Sequence, residues 1–299
     1  MASLIAFVLV TIAAGYGLRK LGLVRQEAAK DLNAVVFYLT LPMLVFMALH
    51  RATLSWSMLV MPLIAWGAIA VGLAIGFLVA RAGRMPPKTA GAFVLALTFG
   101  NTTFFGYPVI HGLYGEAHLT LAIFYDQLGA TLAVNTVGVA VASRLGTGSV
   151  DLATGLRRLA LFPPIWGLVL GLALHGLSLP PMAAELIDRL GQLTVPLIML
   201  SIGLSLQFSR WREDLGWVAV ATAGRLLVLP ALVWGVTRAF GLPLAYQQAA
   251  VMEAAMPSMF FSLTVAMLFG LHVNLVVNAI MATTMLSFVT LPLWYMLLR

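Results

Sequence analysis

The sequence predicts an all-α, polytopic membrane protein. Of its 299 residues, 62% are hydrophobic and 9% are charged, and the mean hydropathy is +1.01. Apolar runs such as 4–18, 59–80 and 274–298 have roughly the 17 to 25 residues that a helix needs to cross about 30 Å of hydrocarbon. Membrane barrels instead alternate polar and apolar residues over segments of about ten, and this sequence has no such pattern.

Charged residues and stretches rich in Pro or Gly divide the chain into about ten predicted spans of roughly 20 residues each. We expect the first span to be retained, because residues 1–3 lack the basic segment that opens a cleaved signal peptide. The predicted spans are about 3–18, 31–49, 57–80, 88–112, 117–143, 159–178, 186–207, 215–237, 245–270 and 273–298.

Basic residues are distributed unevenly between the loops that follow odd-numbered and even-numbered spans. By the positive-inside rule the richer side is cytoplasmic, which places both termini outside. The net charge of +7 then reflects topology, and it gives no reason to expect a nucleic-acid partner. The richer side holds Arg19, Lys20, Arg25, Lys30, Arg81, Arg84, Lys88, Arg144, Arg157, Arg158, Arg210 and Arg212, and the other side holds Arg51, Arg189, Arg238 and Arg299.

Two segments of the first half align with two segments of the second half. "DLNAVVFYLTLPML" at 31–44 matches "ELIDRLGQLTVPLI" at 185–198, and the stretch 81–105 matches the stretch 238–262. With about five spans in each half, the two halves insert into the membrane with opposite orientation. The sequence therefore predicts an inverted-topology repeat.

Each half contains a segment that interrupts an apolar span at mid-depth. In the first half, Gly100 and Asn101 are followed by polar residues and then by a proline, and the alignment sets them against Pro257 and Ser258. Backbone groups without partners cost several kcal/mol in lipid, so irregular backbone is tolerated only against protein or a water-filled cavity. These segments predict two broken helices that cross near the membrane midplane.

The broken helices predict an anion-binding site. Each second half-helix begins with free N–H groups and the positive end of its dipole, and Asn, Thr and Ser are residue types that cap such starts. Two such ends that converge would bind an anion. The predicted substrate-binding and crossover residues are Asn101, Thr102, Thr103, Gly106, Tyr107, Pro108, Met256, Pro257 and Ser258.

The alternative for these segments is a pair of structural kinks. Proline in a membrane helix is often only a bend, and we interpret Pro42 and Pro196 as bends of this kind. Five side chains near the interruptions are individually better explained as packing residues than as ligand contacts, namely Phe104, Phe105, Tyr107, Met256 and Met259. The equivalence of the two interruptions in the repeat favours the functional interpretation over the structural one.

Ionisable residues within spans are expensive and indicate function. Asp126, with its neighbour Gln127, lies near the middle of the fifth span, and Glu253 lies one turn before Pro257. We interpret all three as candidates for a coupling-ion site, for H⁺ or Na⁺. The alternative for Asp126 is a structural pair with Arg225 or a backbone amide, while Arg225 could instead balance substrate charge.

No motif points to catalysis. The sequence has no HExxH, no GxSxG and no P-loop, and it has no cysteine, which removes disulfides and cysteine metal sites. We therefore expect neither an enzyme nor a cofactor, and no resident metal apart from a coupling Na⁺.

The interrupted motifs "GNTTFFGYP" and "AAMPSMFFS", together with about ten spans, resemble the auxin efflux carrier family over essentially the whole chain. Bacterial members of this family include malonate and malate permeases. The resemblance implies a fold shared in outline with bile-acid sodium symporters and Na⁺/H⁺ antiporters. It also implies a homodimer formed through the scaffold helices, in a bacterial inner membrane.

The resemblance further implies two domains, each drawn from both halves. The scaffold would comprise 1–56 and 149–213. The moving transport domain would comprise 57–148, with a crossover near 100–108, and 214–299, with a crossover near 254–259.

By this resemblance the protein is expected to be a secondary transporter of a small organic anion, dicarboxylates such as malonate or malate first. Alternating access would occur by elevator-like sliding or rocking, with symport as one coupling mode. Plant auxin carriers have a long insertion between the halves, and here only about 144–158 connects them, which weakens an auxin assignment. The alternatives are a sodium-coupled symporter of bile-acid-like anions, an auxin-type weak-acid exporter and a membrane sensor that does not transport.

Overall fold

The computed structural model describes residues 2–25, 27–147, 162–205 and 214–299. In these residues every regular element is helical. The predicted loop residues Arg157, Arg158, Arg210 and Arg212, and the connection between the halves beyond Thr147, lie outside the described residues.

Six helices in the described residues are long and apolar enough to cross a membrane. Their bounds lie within about five residues of those of the corresponding predicted spans. They are α2 (Ala28–Arg51), α3 (Trp56–Ala82), α6 (Glu116–Leu145), α8 (Pro181–Ser205), α9 (Leu215–Ala239) and α12 (Val273–Leu297).

The other helices are shorter or belong to interrupted segments. Helix α1 (Ala2–Lys20) opens the chain, and α7 (Pro163–Ala173) is a short apolar helix. The predicted span 88–112 is divided between α4 (Pro87–Thr98) and α5 (Tyr107–Tyr114). The predicted span 245–270 is divided between α10 (Leu244–Ala254) and α11 (Phe261–Leu268).

Several long helices contain a π turn, in which backbone hydrogen bonds join residues five apart instead of four. Such turns are rare and are concentrated at functional sites. In α6 one spans Asp126–Ala130, and in α9 one spans Gly224–Val228, so the intramembrane charges Asp126 and Arg225 both lie on locally unwound helix. A further π turn, Thr102–Gly106, precedes α5.

The chain divides into two compact units. The first unit comprises 1–56, 107–120 and 161–207, and it contains α1, α2, α5, α7 and α8, with the start of α6. In it α1 and the second part of α8 pack together, and α7 packs on the second part of α2. Gly167 lies so close to the Pro42 carbonyl that a Cβ would overlap it, so glycine is required for this helix contact.

The two predicted bends, Pro42 and Pro196, both lie in the first unit. Pro42 directly follows the π turn Val36–Thr40 in α2, and Pro196 follows a turn at Leu193 in α8. Proline has no N–H to donate to the preceding turn, which accounts for irregular helix at both places.

The second unit comprises 57–106, 121–160 and 208–299. It contains α3, α4 and α9 to α12, with most of α6. Helices α3 and α4 pack closely, because Gly72 and Gly76 face Thr98 and Val94 across a gap that a Cβ would fill. A cluster of buried apolar side chains from α4, α6, α9, α11 and α12 forms the core of this unit. Both helix interruptions lie inside it.

Candidate functional site

The first interruption lies between α4 and the π turn at Thr102–Gly106. Phe99 has extended backbone, with φ −96° and ψ 117°, which ends α4. The Asn101 carbonyl accepts the N–H groups of Phe105 and Gly106 at 3.1 Å each, and its side-chain Oδ1 accepts the N–H of Phe104 at 3.2 Å. Asn101 therefore caps the second half of the helix, as its residue type predicts.

The second interruption lies between α10 and α11. Pro257 has no N–H, so the helical ladder cannot continue through it. The residue that precedes α11 is Phe260, whose backbone is already helical. The hydroxyl of Ser258 donates to the Ala96 carbonyl at 2.6 Å, and its N–H donates to Thr283 Oγ1 at 3.0 Å. Ser258 is thus not the cap of a half-helix, because its hydroxyl bonds back to α4.

The two interruptions pair with one another. The Asn101 N–H donates to the Pro257 carbonyl at 2.7 Å, and the Met259 N–H donates to the Phe99 carbonyl at 2.9 Å. Gly100 and Ser258 lie opposite each other as an isolated antiparallel bridge between these bonds. The irregular backbone of each segment thus provides hydrogen-bond partners for the other, which is what apolar surroundings demand.

Arg225 joins the carbonyl ends of the two first half-helices. Its Nε donates to the Met256 carbonyl at 2.8 Å, its Nη1 to the Thr98 carbonyl at 2.8 Å, and its Nη2 to the Glu253 carbonyl at 3.4 Å. Helix C-termini carry partial negative charge, so a buried guanidinium is stabilised there. Gly100 packs against this group, and a Cβ at Gly100 would overlap Nη2.

Asp126 is tied to the first interruption by side-chain donors. Thr102 Oγ1 donates to Oδ1 and Thr103 Oγ1 to Oδ2, both at 2.6 Å. Gln127 Nε2 donates to Oδ2 at 2.9 Å, and Thr131 Oγ1 to Oδ1 at 3.2 Å. A carboxylate that accepts several hydrogen bonds is stabilised in its charged form, so Asp126 holds the start of the second half-helix against α6.

Asp126 and Arg225 have different sets of hydrogen-bond partners. Both oxygens of Asp126 accept hydrogen bonds from side-chain hydroxyls and from the Gln127 amide. Arg225 directs Nε, Nη1 and Nη2 at backbone carbonyls.

Glu253 has a contrasting environment. It lies in the last turn of α10 and is fully buried, and neither carboxyl oxygen has a hydrogen-bond partner in the described residues. The carboxyl group lies against Gly106, where a Cβ would fall within about 2.5 to 2.7 Å of the two oxygens. Glycine is therefore required at position 106 because a Cβ would overlap the Glu253 carboxyl group, and not because the backbone turns there.

The remaining predicted site residues are also buried. Tyr107 and Met256 are fully buried, and Pro108 lies buried in the first turn of α5. Asn101 is 1% exposed, and its side-chain Nδ2 has no hydrogen-bond partner in the described residues. A small cavity of about 10 Å³, roughly the space of one water molecule, lies beside Thr98, Gly100, Thr102, Tyr125 and Arg225.

Two contributors were not identified from the sequence. The sequence shows Arg225 as a charge within a span, but it does not predict the hydrogen bonds that link Arg225 to the two carbonyl ends. Thr283, which accepts the Ser258 N–H, was not singled out at all. A threonine in a long apolar helix gives little signal, because its hydroxyl most often bonds within its own helix, as Thr283 also does to the Ala279 carbonyl at 2.7 Å.

Comparison with known proteins is consistent with a membrane protein of this kind. A family model described as "Membrane transport protein" matches residues 1–295. An uncharacterized transporter of Methanothermobacter thermautotrophicus is 33% identical over 294 residues, which cover 97% of this chain and 96% of that protein. Another, from Methanocaldococcus jannaschii, is 30% identical over 299 residues, with 97% and 96% coverage.

Proposed function

Because the chain belongs to the auxin efflux carrier family of membrane transport proteins, we propose that it moves a small organic anion across the membrane by alternating access. It is an integral membrane transporter and not an enzyme. Dicarboxylates such as malonate and malate are the proposed substrates. The observation that carries this proposal is the buried, unpartnered Nδ2 donor of Asn101 at the paired interruptions.

The donors proposed to bind the anion follow from the contacts of the site. The hydroxyls of Thr102 and Thr103 already donate to Asp126, and the hydroxyl of Ser258 donates to Ala96. The substrate carboxylate is therefore assigned to Asn101 Nδ2 and to backbone N–H groups at the start of the second half-helix, where the helix dipole favours negative charge.

The proposed architecture is a five-plus-five inverted repeat of about ten spans with crossed broken helices. It is supported by the position of the two interruptions, which fall at equivalent points of the aligned halves and hydrogen-bond to each other. In this proposal 1–56 and 149–213 form a scaffold, and 57–148 and 214–299 form the transport domain. A homodimer through the scaffold, an elevator-like movement, outward-facing termini and a bacterial inner membrane complete it.

Uptake of radiolabelled malonate into proteoliposomes tests this function. We expect saturable uptake by the wild-type protein and its loss in Asn101→Ala, because the variant removes the unpartnered donor. Asn274→Ala is the matched control, since Asn274 is exposed in the first turn of α12. Both variants should elute as the wild type does in size-exclusion chromatography.

Three other results would each contradict a different part of the proposal. Uptake that is unchanged in Asn101→Ala removes this residue from the site. Uptake of bile-acid-like or auxin-like anions in place of dicarboxylates reassigns the substrate, and binding of malonate without counterflow indicates a sensor.

A further inference from the structure

We propose that Glu253 carries a coupling proton, and that this transporter is driven by a proton gradient and not by a Na⁺ gradient. The inference rests on the proposed transport function and chooses between the coupling candidates Asp126, Gln127 and Glu253. It is carried by the contrast between their environments.

Glu253 is the acidic side chain whose contacts leave it free to gain and lose a proton. Both of its oxygens lack a hydrogen-bond partner in the described residues, although the residue is fully buried in the last turn of α10. A buried carboxylate without partners is very costly, and a neutral carboxyl is much less so. Its contact with Gly106 places it against the first interrupted segment, so its charge acts on the segment proposed to bind substrate.

Asp126 is unsuited to this task. Thr102, Thr103, Gln127 and Thr131 all donate to its carboxylate. A proton on the Asp126 carboxylate would point toward hydroxyl and amide groups that donate to it. It would therefore break hydrogen bonds that join α6 to the first interruption. Gln127 does not titrate. We therefore assign Asp126 and Gln127 to positioning.

The carbonyl groups at the helix interruptions that could coordinate Na⁺ already accept hydrogen bonds from Arg225. Broken membrane helices can bind Na⁺ through carbonyl oxygens at unwound backbone and at half-helix C-terminal ends. Here the carbonyls of Thr98, Glu253 and Met256 all accept from Arg225. Arginine keeps its charge at any physiological pH, so this positive charge is permanent and does not exchange with the solution.

The balance of buried charge favours a proton that moves together with the anion. The titratable and charged groups around Glu253 are Tyr125, Asp126 and Arg225. The charges of Asp126 and Arg225 cancel, so a protonated Glu253 leaves the interruptions neutral, whereas an ionised Glu253 leaves one negative charge that repels an incoming carboxylate.

The proposed cycle conserves charge and atoms. A proton from water on one side binds a Glu253 carboxyl oxygen, and the anion then binds at the interruptions. After the transport domain exposes the opposite side, the anion leaves and the proton returns from the same oxygen to water. Each turnover therefore moves one proton together with one anion, which is symport.

Infrared spectroscopy of the purified protein tests the assignment without any substrate. We expect a protonated-carboxyl stretching band that changes with pH, shifts in heavy water and is lost in Glu253→Gln. Asp126→Asn should retain the band, as should Glu185→Gln, the matched control with an exposed carboxyl that pairs with Arg189 at 2.7 Å. A band that persists in Glu253→Gln, or a wild-type protein without a titrating band, overturns the inference.

Transport supplies the second readout. In proteoliposomes an inward proton gradient should stimulate malonate accumulation, and an inward Na⁺ gradient should not. Glu253→Gln should lose this stimulation while it retains malonate exchange, because exchange needs no net proton movement. Stimulation by Na⁺, or full stimulation by protons in Glu253→Gln, contradicts the assignment.

The two readouts separate this inference from the proposed function. If no variant transports malonate but the infrared band depends on Glu253, the substrate assignment fails and the protonation site stands. If malonate is transported but the band does not depend on Glu253, the protonation site fails and the transport function stands.

Discussion

Arg225 places a permanent positive charge where the carbonyl ends of two helices meet. Its guanidinium donates to the carbonyls of Thr98, Glu253 and Met256, and it is 4% exposed. Burial of a charge is costly unless it is paired and hydrogen-bonded, and here the partners are carbonyls that the interruptions deprive of helical donors. The residue and the broken backbone therefore stabilise each other.

Gly100→Ala tests this mutual dependence. The added Cβ would overlap Arg225 Nη2 and displace the guanidinium from the helix ends. Each buried carbonyl left without a donor costs about 1 to 3 kcal/mol, so we expect a lower apparent melting temperature in detergent. Gly67→Ala is the control, because nothing lies within 4 Å of its added Cβ in α3, and alanine favours helix over glycine.

The double variant with Arg225→Met makes this test specific. If displacement of Arg225 is the cause, the cost of Gly100→Ala should be smaller when Arg225 is already methionine. An equal cost in both backgrounds would show that the alanine acts on something other than the guanidinium.

At the scale of elements, the sequence located the interruptions but not the contacts between them. Gly100, Asn101 and Pro257 could be identified because each breaks an apolar pattern with a residue type of known backbone preference. The direction of a carbonyl or hydroxyl in irregular backbone depends on neighbouring helices. For that reason Ser258 appeared to be a helix cap, whereas its hydroxyl donates to Ala96.

The predicted inverted repeat has a consequence for the ends of α3 and α9. Arg81 and Arg238 occupy equivalent positions in the aligned halves, and each lies in the last turn of its helix with an exposed side chain. Opposite insertion of the two halves puts them on opposite faces of the membrane.

The chain has no cysteine, so single-cysteine labelling in intact cells can test this arrangement. An impermeant thiol reagent should label Arg238→Cys and should label Arg81→Cys only after the membrane is permeabilised. The unmodified protein is the control for background. Labelling of both variants from outside, or of neither, would contradict the inverted repeat.

For the molecule as a whole, the all-helical membrane class follows from composition and long apolar runs, and two short motifs indicate the transporter family. The division of charge at the site could not be predicted in this way. Asp126, Arg225 and Glu253 look alike in the sequence, because each is a charge within a span. In the structure, Asp126 accepts several side-chain hydrogen bonds and Arg225 donates to the carbonyl ends of two helices. The carboxyl group of Glu253 has no hydrogen-bond partner in the described residues.

In the proposed function, the paired interruptions bind an anion through Asn101. Solid-state magnetic resonance in lipid tests it most directly, by dipolar coupling between carboxylate-labelled malonate and nitrogen-labelled asparagine side chains. We expect a coupling signal in the wild type that Asn274→Ala retains and Asn101→Ala loses. A signal that survives in Asn101→Ala, or no signal under conditions where malonate binding saturates, would contradict it.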